Sequence, residues 1–310
     1  MRNYVTLFDK NYLPQGLTLY YSLAKHSKNF TLWVICIDQI TFDFISFKSR
    51  PDLRPILLST VENQQLVEVK KTRTKGEYCW TLTPFCPQFI FDLNPDINEV
   101  TYIDADLYFL KDLEIIHTEF EKSNKSVLIT QHGFYSAYDK SSENGYFCVQ
   151  FMIFKREGSK EILDIWQQQC IEWCYARAEN GRFGDQKYLD TWPTDYPSQV
   201  HVLSKPELTQ APWNAMRYPH SEAVLYHFHD VRLSERYIVR SGNWIPAPTL
   251  NYVYSLYFRD LRRTISELKE QNIILEPQRK SLGLLGSLAG LIVGIYRHVK
   301  QLNLYHQFKL

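Results

Sequence analysis

The sequence predicts an α/β fold whose parallel sheet carries helices on its faces. Two observations lead there. The chain opens β-α-β: "YVTLFD" reads as a short buried strand, "LPQGLTLYYSLAKHS" spaces its apolar residues as a helix does, and "FTLWVICID" is a near-continuous apolar run of strand type. Further along, "EVTYIDADLYFL" runs apolar and then sets Asp104 and Asp106 one residue apart. That places two carboxylates at the carboxyl end of a strand, the edge at which open parallel sheets bind ligands.

The remaining elements follow in order. A helix is expected over "WTLTPFCPQFIFDL", before the strand that ends in Asp104, and "SVLIT" and "FCVQFMIF" are two more strands. The clearest helix is "SKEILDIWQQQCIEWCYARAENG". There Ile162, Ile165, Trp166, Cys170 and Trp173 recur at intervals of three or four, and Asn180-Gly181 is the expected stop. "VHVL" and "AVLYHFH" are later strands. No repeat or low-complexity tract is present.

From about residue 251 the character changes, which divides the chain into a domain over 1–250 and a helical extension over 251–310. "SLYFRDLRRTISELKEQN" is an amphipathic helix pattern ended by Pro277. The run from Ser281 to Tyr296 then carries no charge, has Gly286, Gly290 and Gly294 four apart, and is flanked by Arg279, Lys280, Arg297 and Lys300. It is shorter than the roughly 20 residues that span a bilayer. Two readings stay open: a peripheral helix drawn to anionic lipid, or a helix packed on the catalytic domain or in a homodimer interface.

Composition narrows the class. Hydrophobic residues at 45% and charged residues at 22% of 310 belong to a folded globular chain. A net charge of +1 gives no electrostatic footprint for nucleic acid. The six cysteines form no CxxC pair, and Cys170 and Cys174 suit a shared helix face better than a zinc site. The N-terminal stretch lacks the apolar core of a signal peptide, so a reduced cytoplasmic setting is expected, with the inner face of the membrane as its variant.

Three groups of residues point to chemistry. Asp104 and Asp106 are hard oxygen ligands suited to Mg²⁺ or Mn²⁺ on a diphosphate, although short Asp-x-Asp matches also arise by chance. His227 and His229 in "LYHFHDVR" share a face if that strand is extended. An imidazole beside two carboxylates would tilt the choice toward manganese, whereas the bland reading is a pair of hydrogen-bonded structural histidines. In "GRFGDQKYLDTWP", Gly184 puts Asp185 and Gln186 on a turn. There they either face a cleft or, for Asp185, cap the helix that follows.

Together these stretches resemble the GT-A-fold glycosyltransferases of the family 8 type, the group of glycogenin and the bacterial lipopolysaccharide galactosyltransferases. Within it the chain is most similar to a bacterial branch of nucleotide-diphospho-sugar transferases. The matching segments are "VTLFDKNYLPQGLTLYYSL", "YCWTLTPF", "YIDADLYFLKDL", "FCVQFMIF", "FGDQKYLDTWP", "LTQAPWN" and "YHFHDVR", in family order through about residue 240. The resemblance implies a mixed, mainly parallel Rossmann-like sheet. It also implies a UDP-sugar donor, a glycan or glycolipid acceptor, and retention of anomeric configuration.

By the same resemblance, Asp104 and Asp106 hold Mn²⁺ (or Mg²⁺) on the donor diphosphate. Asp104 also approaches the donor ribose or sugar, and Ala105 lies between the two. The third ligand corresponds to His227, with His229 as second choice. Thr6, Leu7 and Asp9 resemble the stretch that holds uracil and ribose, and Tyr12 the tyrosine that stacks on the base. Asp185 and Gln186 match the acidic-amide pair beside the anomeric carbon. Two departures stand out: Cys148-Val149-Gln150 where much of the family has Asn-Ala-Gly or Asn-Val-Gly, and Asp230 where it has glycine. The first leaves donor identity open. The second is expected to face away from the diphosphate, which would repel it.

Three other classes compete. A catalytically inactive binding module of the same fold draws support from the two departures. A nucleotidyltransferase would carry a glycine-rich phosphate loop after its first strand, and "TLFDKNYLPQG" has one late glycine. A structural role has no positive feature.

Overall fold

The computed structural model describes residues 1–235 and 237–278, and the backbone of residues 304–309. The uncharged run 281–296 and its basic flanks lie outside the described residues. Among those that are described, no helix is long and apolar enough to cross a membrane.

The central sheet has seven strands: β1 (Arg2–Phe8), β2 (Phe30–Cys36), β3 (Leu53–Leu57), β4 (Glu99–Ile103), β6 (Val127–Gln131), β7 (Phe147–Lys155) and β8 (Val200–Val202). Their order across the sheet is β3-β2-β1-β4-β7-β6-β8, and only β7 runs against the others. The mainly parallel α/β expectation is met, with β7 supplying the mixed character.

β1 shows why the sheet must be covered on both faces. Tyr4 and Phe8 enter one apolar cluster and Val5 and Leu7 the other, as the two-residue period of a strand requires. One face receives the helix Leu13–His26, and the other the helices Lys75–Leu82, Phe85–Leu93 and Arg156–Glu172.

Two sequence expectations need correction. "WTLTPFCPQFIFDL" is not one helix. The chain breaks at Thr83-Pro84 between Lys75–Leu82 and Phe85–Leu93, because proline has no N–H to continue the ladder. The long helix ends at Glu172, not at Asn180-Gly181. Trp173 is extended, and Trp173 and Cys174 turn into the core. Asn180-Gly181 instead turns a small hairpin closed by reciprocal backbone bonds between Glu179 and Arg182, both 3.0 Å, with Asn180 and Gly181 in the left-handed region.

Among the described residues there are two smaller sheets. β5 (Leu107–Phe109), β9 (Thr209–Gln210) and β10 (Leu225–His227) form one, and β11 (Val231–Leu233), β12 (Tyr237–Gly242) and β13 (Leu304–Lys309) the other. The amphipathic pattern of the extension is a helix, Ser255–Glu270. It lies against the first helix, where Thr264 meets Thr18 at 3.1 Å and Glu267 accepts from Tyr21 at 3.0 Å. The chain then returns over the end of β1, where Gln278 donates to the Asn11 carbonyl at 2.6 Å.

Candidate active site

The carboxyl ends of β1 and β4 open into a cavity of about 650 Å³, a volume suited to a nucleotide-sized ligand. Asp104 is the first residue beyond β4, and its N–H is fixed on the Gln150 carbonyl at 3.0 Å. The Tyr102 hydroxyl donates to one oxygen of the Asp104 carboxylate at 2.9 Å.

The third member arrives from far along the chain. Antiparallel pairing of β10 with β5 sets His227 opposite Leu107, and the Phe228 N–H then bonds to the Asp106 carbonyl at 2.9 Å. This register brings His227 Nε2 to 2.9 Å from Asp106 Oδ1 and 3.6 Å from Asp104 Oδ2. Ligand atoms of Asp104, Asp106 and His227 all lie within 4.8 Å of one another. Such separations, in a set of two carboxylates and an imidazole, fit one divalent cation of the manganese or magnesium kind.

The electrostatics reflect the crowding. Burial and the neighbouring Asp106 raise the Asp104 carboxyl above its ordinary range, against the pull of His227. Burial pushes on Asp106 too, but the charge and hydrogen bond of His227 outweigh it and hold Asp106 low. Burial alone would lower His227, but Asp106 and then Asp104 raise it well above the usual imidazole range. A cation would relieve this proton-dependent arrangement directly.

The other expected residues fall around this centre. Leu7, Asp9, Tyr12 and Ala105 line the cavity, whereas Thr6 is fully buried and does not line it. The Asp9 carboxylate is engaged by the N–H groups of Asn11 and Tyr12, at 3.1 and 3.0 Å, and by the Lys75 ammonium. Asp185 and Gln186 also line the cavity. Asp185 does not cap the following turn. It is buried, its Oδ2 has no hydrogen-bond partner among the described residues, and burial with the Asp104 charge pushes its carboxyl up to about 7. Gln186 donates its amide to the Asn144 carbonyl at 2.8 Å.

His229 lines the cavity but stays outside the three-residue cluster; its ring lies 4.8 Å from that of Trp213, and burial lowers it to about 3. Asp230 faces away from the cavity, toward Arg240.

Several wall residues were not singled out from the sequence. Arg232 sits with its guanidinium carbon 5.7 Å from the centre of the Tyr12 ring, and Trp213 lies 5.6 Å from His227, ring to ring. Trp80 and Phe183 face each other across 6.3 Å beside Gly184. The available signal was position alone: Arg232 and Trp213 stand inside the quoted segments "YHFHDVR" and "LTQAPWN".

Residues 3–183 match the family model for Glycosyl transferase family 8. The chain belongs to that family. It is a glycosyltransferase of GT-A architecture. Over 287 residues it is 26% identical to the uncharacterized protein YfnF of Bacillus subtilis (strain 168), covering 86% of this chain and 93% of that one. YfnD of the same organism is 26% identical over 288 residues, covering 86% and 91%. Among solved structures, the glycosyltransferase GlyE of Streptococcus pneumoniae TIGR4 superposes with a TM-score of 0.52 at 16% identity, over 90% of this chain and 66% of that one. The apo structure of the bifunctional glycosyltransferase WbbM gives 0.54 at 14%, over 88% and 51%. The chain thus spans about half of WbbM and just under two thirds of GlyE, and at such identities the likeness concerns the fold.

Proposed function

We propose that this glycosyltransferase moves a hexose from a UDP-sugar to a glycan or glycolipid acceptor, with retention of configuration, in the synthesis of a cell-envelope polysaccharide. The convergence of Asp104, Asp106 and His227 on the floor of a nucleotide-sized cavity carries the proposal. Manganese, or magnesium, bound there would supply a Lewis acid for the charge that grows on the departing diphosphate.

The chain's own groups divide the remaining work. Tyr12, the last residue of the turn capped by Asp9, offers a flat ring for the uracil. Arg232, over that ring, supplies a fixed positive charge for a phosphate oxygen. Asp104 reaches toward the ribose or sugar. Asp185 Oδ2, without a hydrogen-bond partner among the described residues, accepts from a sugar hydroxyl. Gln186, held on Asn144, turns its amide oxygen to the electron-poor face of the sugar as the bond to UDP breaks. The aromatic walls at Trp213 and at Trp80–Phe183 exclude water around these groups.

We assign residues 1–250 to the catalytic domain and 251–310 to an extension that carries the protein to the inner face of the cytoplasmic membrane. The uncharged run 281–296 with its four basic flanking residues supports that reading. Cell fractionation with and without residues 278–310 tests it, since a protein soluble in both forms removes the membrane role.

The donor site is tested by calorimetry of UDP with and without Mn²⁺, on the wild type and on Asp106→Asn. Binding that needs both the metal and Asp106 is expected, and UDP-sugar hydrolysis then identifies the hexose. No binding under any condition overturns the proposal.

A further inference from the structure

Gln150 is anomalous in its strand. It sits inside β7 in the run "FCVQFMIF", and every residue from Cys148 to Phe154 is buried. A primary amide placed there costs stability unless its polar atoms are used. One is used in a specific way: Gln150 Oε1 lies 2.9 Å from His227 Nδ1, across 77 residues of chain. The other, Nε2, is buried without a hydrogen-bond partner among the described residues. The backbone of the same residue accepts from the Asp104 N–H at 3.0 Å. Gln150 therefore touches two members of the cluster, one through its side chain and one through its main chain.

The His227 ring is held at both ends. Asp106 can only accept, so in the metal-free chain Nε2 carries a proton to it. Nδ1 faces the amide oxygen, also an acceptor, and so carries a proton as well. A cation held by Asp104, Asp106 and His227 would take Nε2 and leave the Nδ1–H bond to Gln150 in place. Nε2 is thus the ring nitrogen that faces the two carboxylates. Partners in this position commonly fix the tautomer and orientation of a metal-bound histidine.

We propose that Gln150 is a positioning residue that orients His227 for metal binding. The inference rests on the proposed metal site. It concerns how tightly that site binds its ion, not what the ion then does. The Cys148 thiol also reaches the His227 ring, but a thiol is a weak partner and is assigned no share of the orientation.

The test is Mn²⁺ affinity of the full chain, read by the electron paramagnetic resonance of free Mn²⁺, for Gln150→Leu, Gln150→Glu, Cys148→Ala and His227→Ala. Leu and Glu match the size of glutamine, and far-UV circular dichroism checks that each variant is folded. Gln150→Leu is expected to weaken Mn²⁺ roughly 10- to 100-fold, with Gln150→Glu at or above wild type, because a carboxylate still accepts from Nδ1–H. Cys148→Ala is expected to stay within about twofold of wild type. In the metal-free protein, a downfield, exchange-protected ring N–H proton resonance is expected in wild type and Gln150→Glu and lost in Gln150→Leu.

The proposal is overturned if Gln150→Leu binds Mn²⁺ as wild type does, if Gln150→Glu falls with it, or if Cys148→Ala falls as far. Unchanged binding by His227→Ala has a different meaning: the metal reading itself fails.

Discussion

Asp230 turns its carboxylate away from the cavity and onto Arg240, Nη1 to Oδ2 at 2.9 Å, with both side chains wholly out of solvent. The Tyr254 hydroxyl adds a contact at 3.2 Å. The carboxylate is thus neutralised behind the site and does not face the cavity. Removing one partner of such a pair leaves a buried charge alone. Arg240→Leu is expected to destabilise the protein by about 3–5 kcal/mol, read from denaturant unfolding, with a smaller loss for Asp230→Asn.

His227 and His229 are two residues apart and chemically alike, yet the structure separates them. Only His227 reaches the two aspartates. His227→Ala is expected to weaken Mn²⁺ by at least about 100-fold, and His229→Ala to change it only a few-fold. A Mn²⁺ titration in which the two effects are reversed makes His229 the ligand.

Tyr12 and Arg232 face one another, and their proposed tasks can be told apart by ligand. Tyr12→Ala is expected to weaken uridine, UMP and UDP alike, by roughly 1–3 kcal/mol, as loss of base stacking does. Arg232→Gln is expected to spare uridine and to weaken UDP by about 1.5–3 kcal/mol. Equal losses across the three ligands for Arg232→Gln argue against a phosphate contact.

Asp185 makes a prediction about pH. Unfolded, its carboxyl ionises near pH 4. Folded and metal-free, burial and the Asp104 charge hold the proton up to about pH 7. Between those values the native state binds more protons than the unfolded one, so this group's contribution to stability falls as pH rises. It is flat below about 4 and above about 7. Asp185→Asn removes the titration, and the variant is expected to gain on wild type across that window, by up to about 4 kcal/mol at pH 8. Urea unfolding at several pH values in the presence of a chelator measures the difference. A pH-independent difference removes the buried-carboxyl account.

Much of the frame was legible because its signals are local. The short apolar runs and the helical spacing between them in residues 2–36 state a β-α-β unit in adjacent residues, and the structure has it. The aspartate pair was legible for the same reason: Asp104 and Asp106 lie at one strand end whatever the rest of the chain does. Boundaries were less so. The helix that ends at Glu172 carries an apolar pattern through Trp173, and only the core that receives Trp173 and Cys174 shows where the chain must leave it.

The sequence by itself determined the covered parallel sheet, the two aspartates at the end of β4, and the family to which their surrounding segments belong. Periodicity and short spacing carry that much because they depend on neighbours a few residues away. Tertiary structure decided which histidine meets the aspartates, that Gln150 holds it, that Arg232 lies over Tyr12, and that Asp230 turns inward to Arg240. Each of these depends on pairing between distant strands or on the packing of a buried charge. Strand register is set by side-chain fit across the whole core, and a shift of one residue would have turned His227 to the opposite face of its sheet.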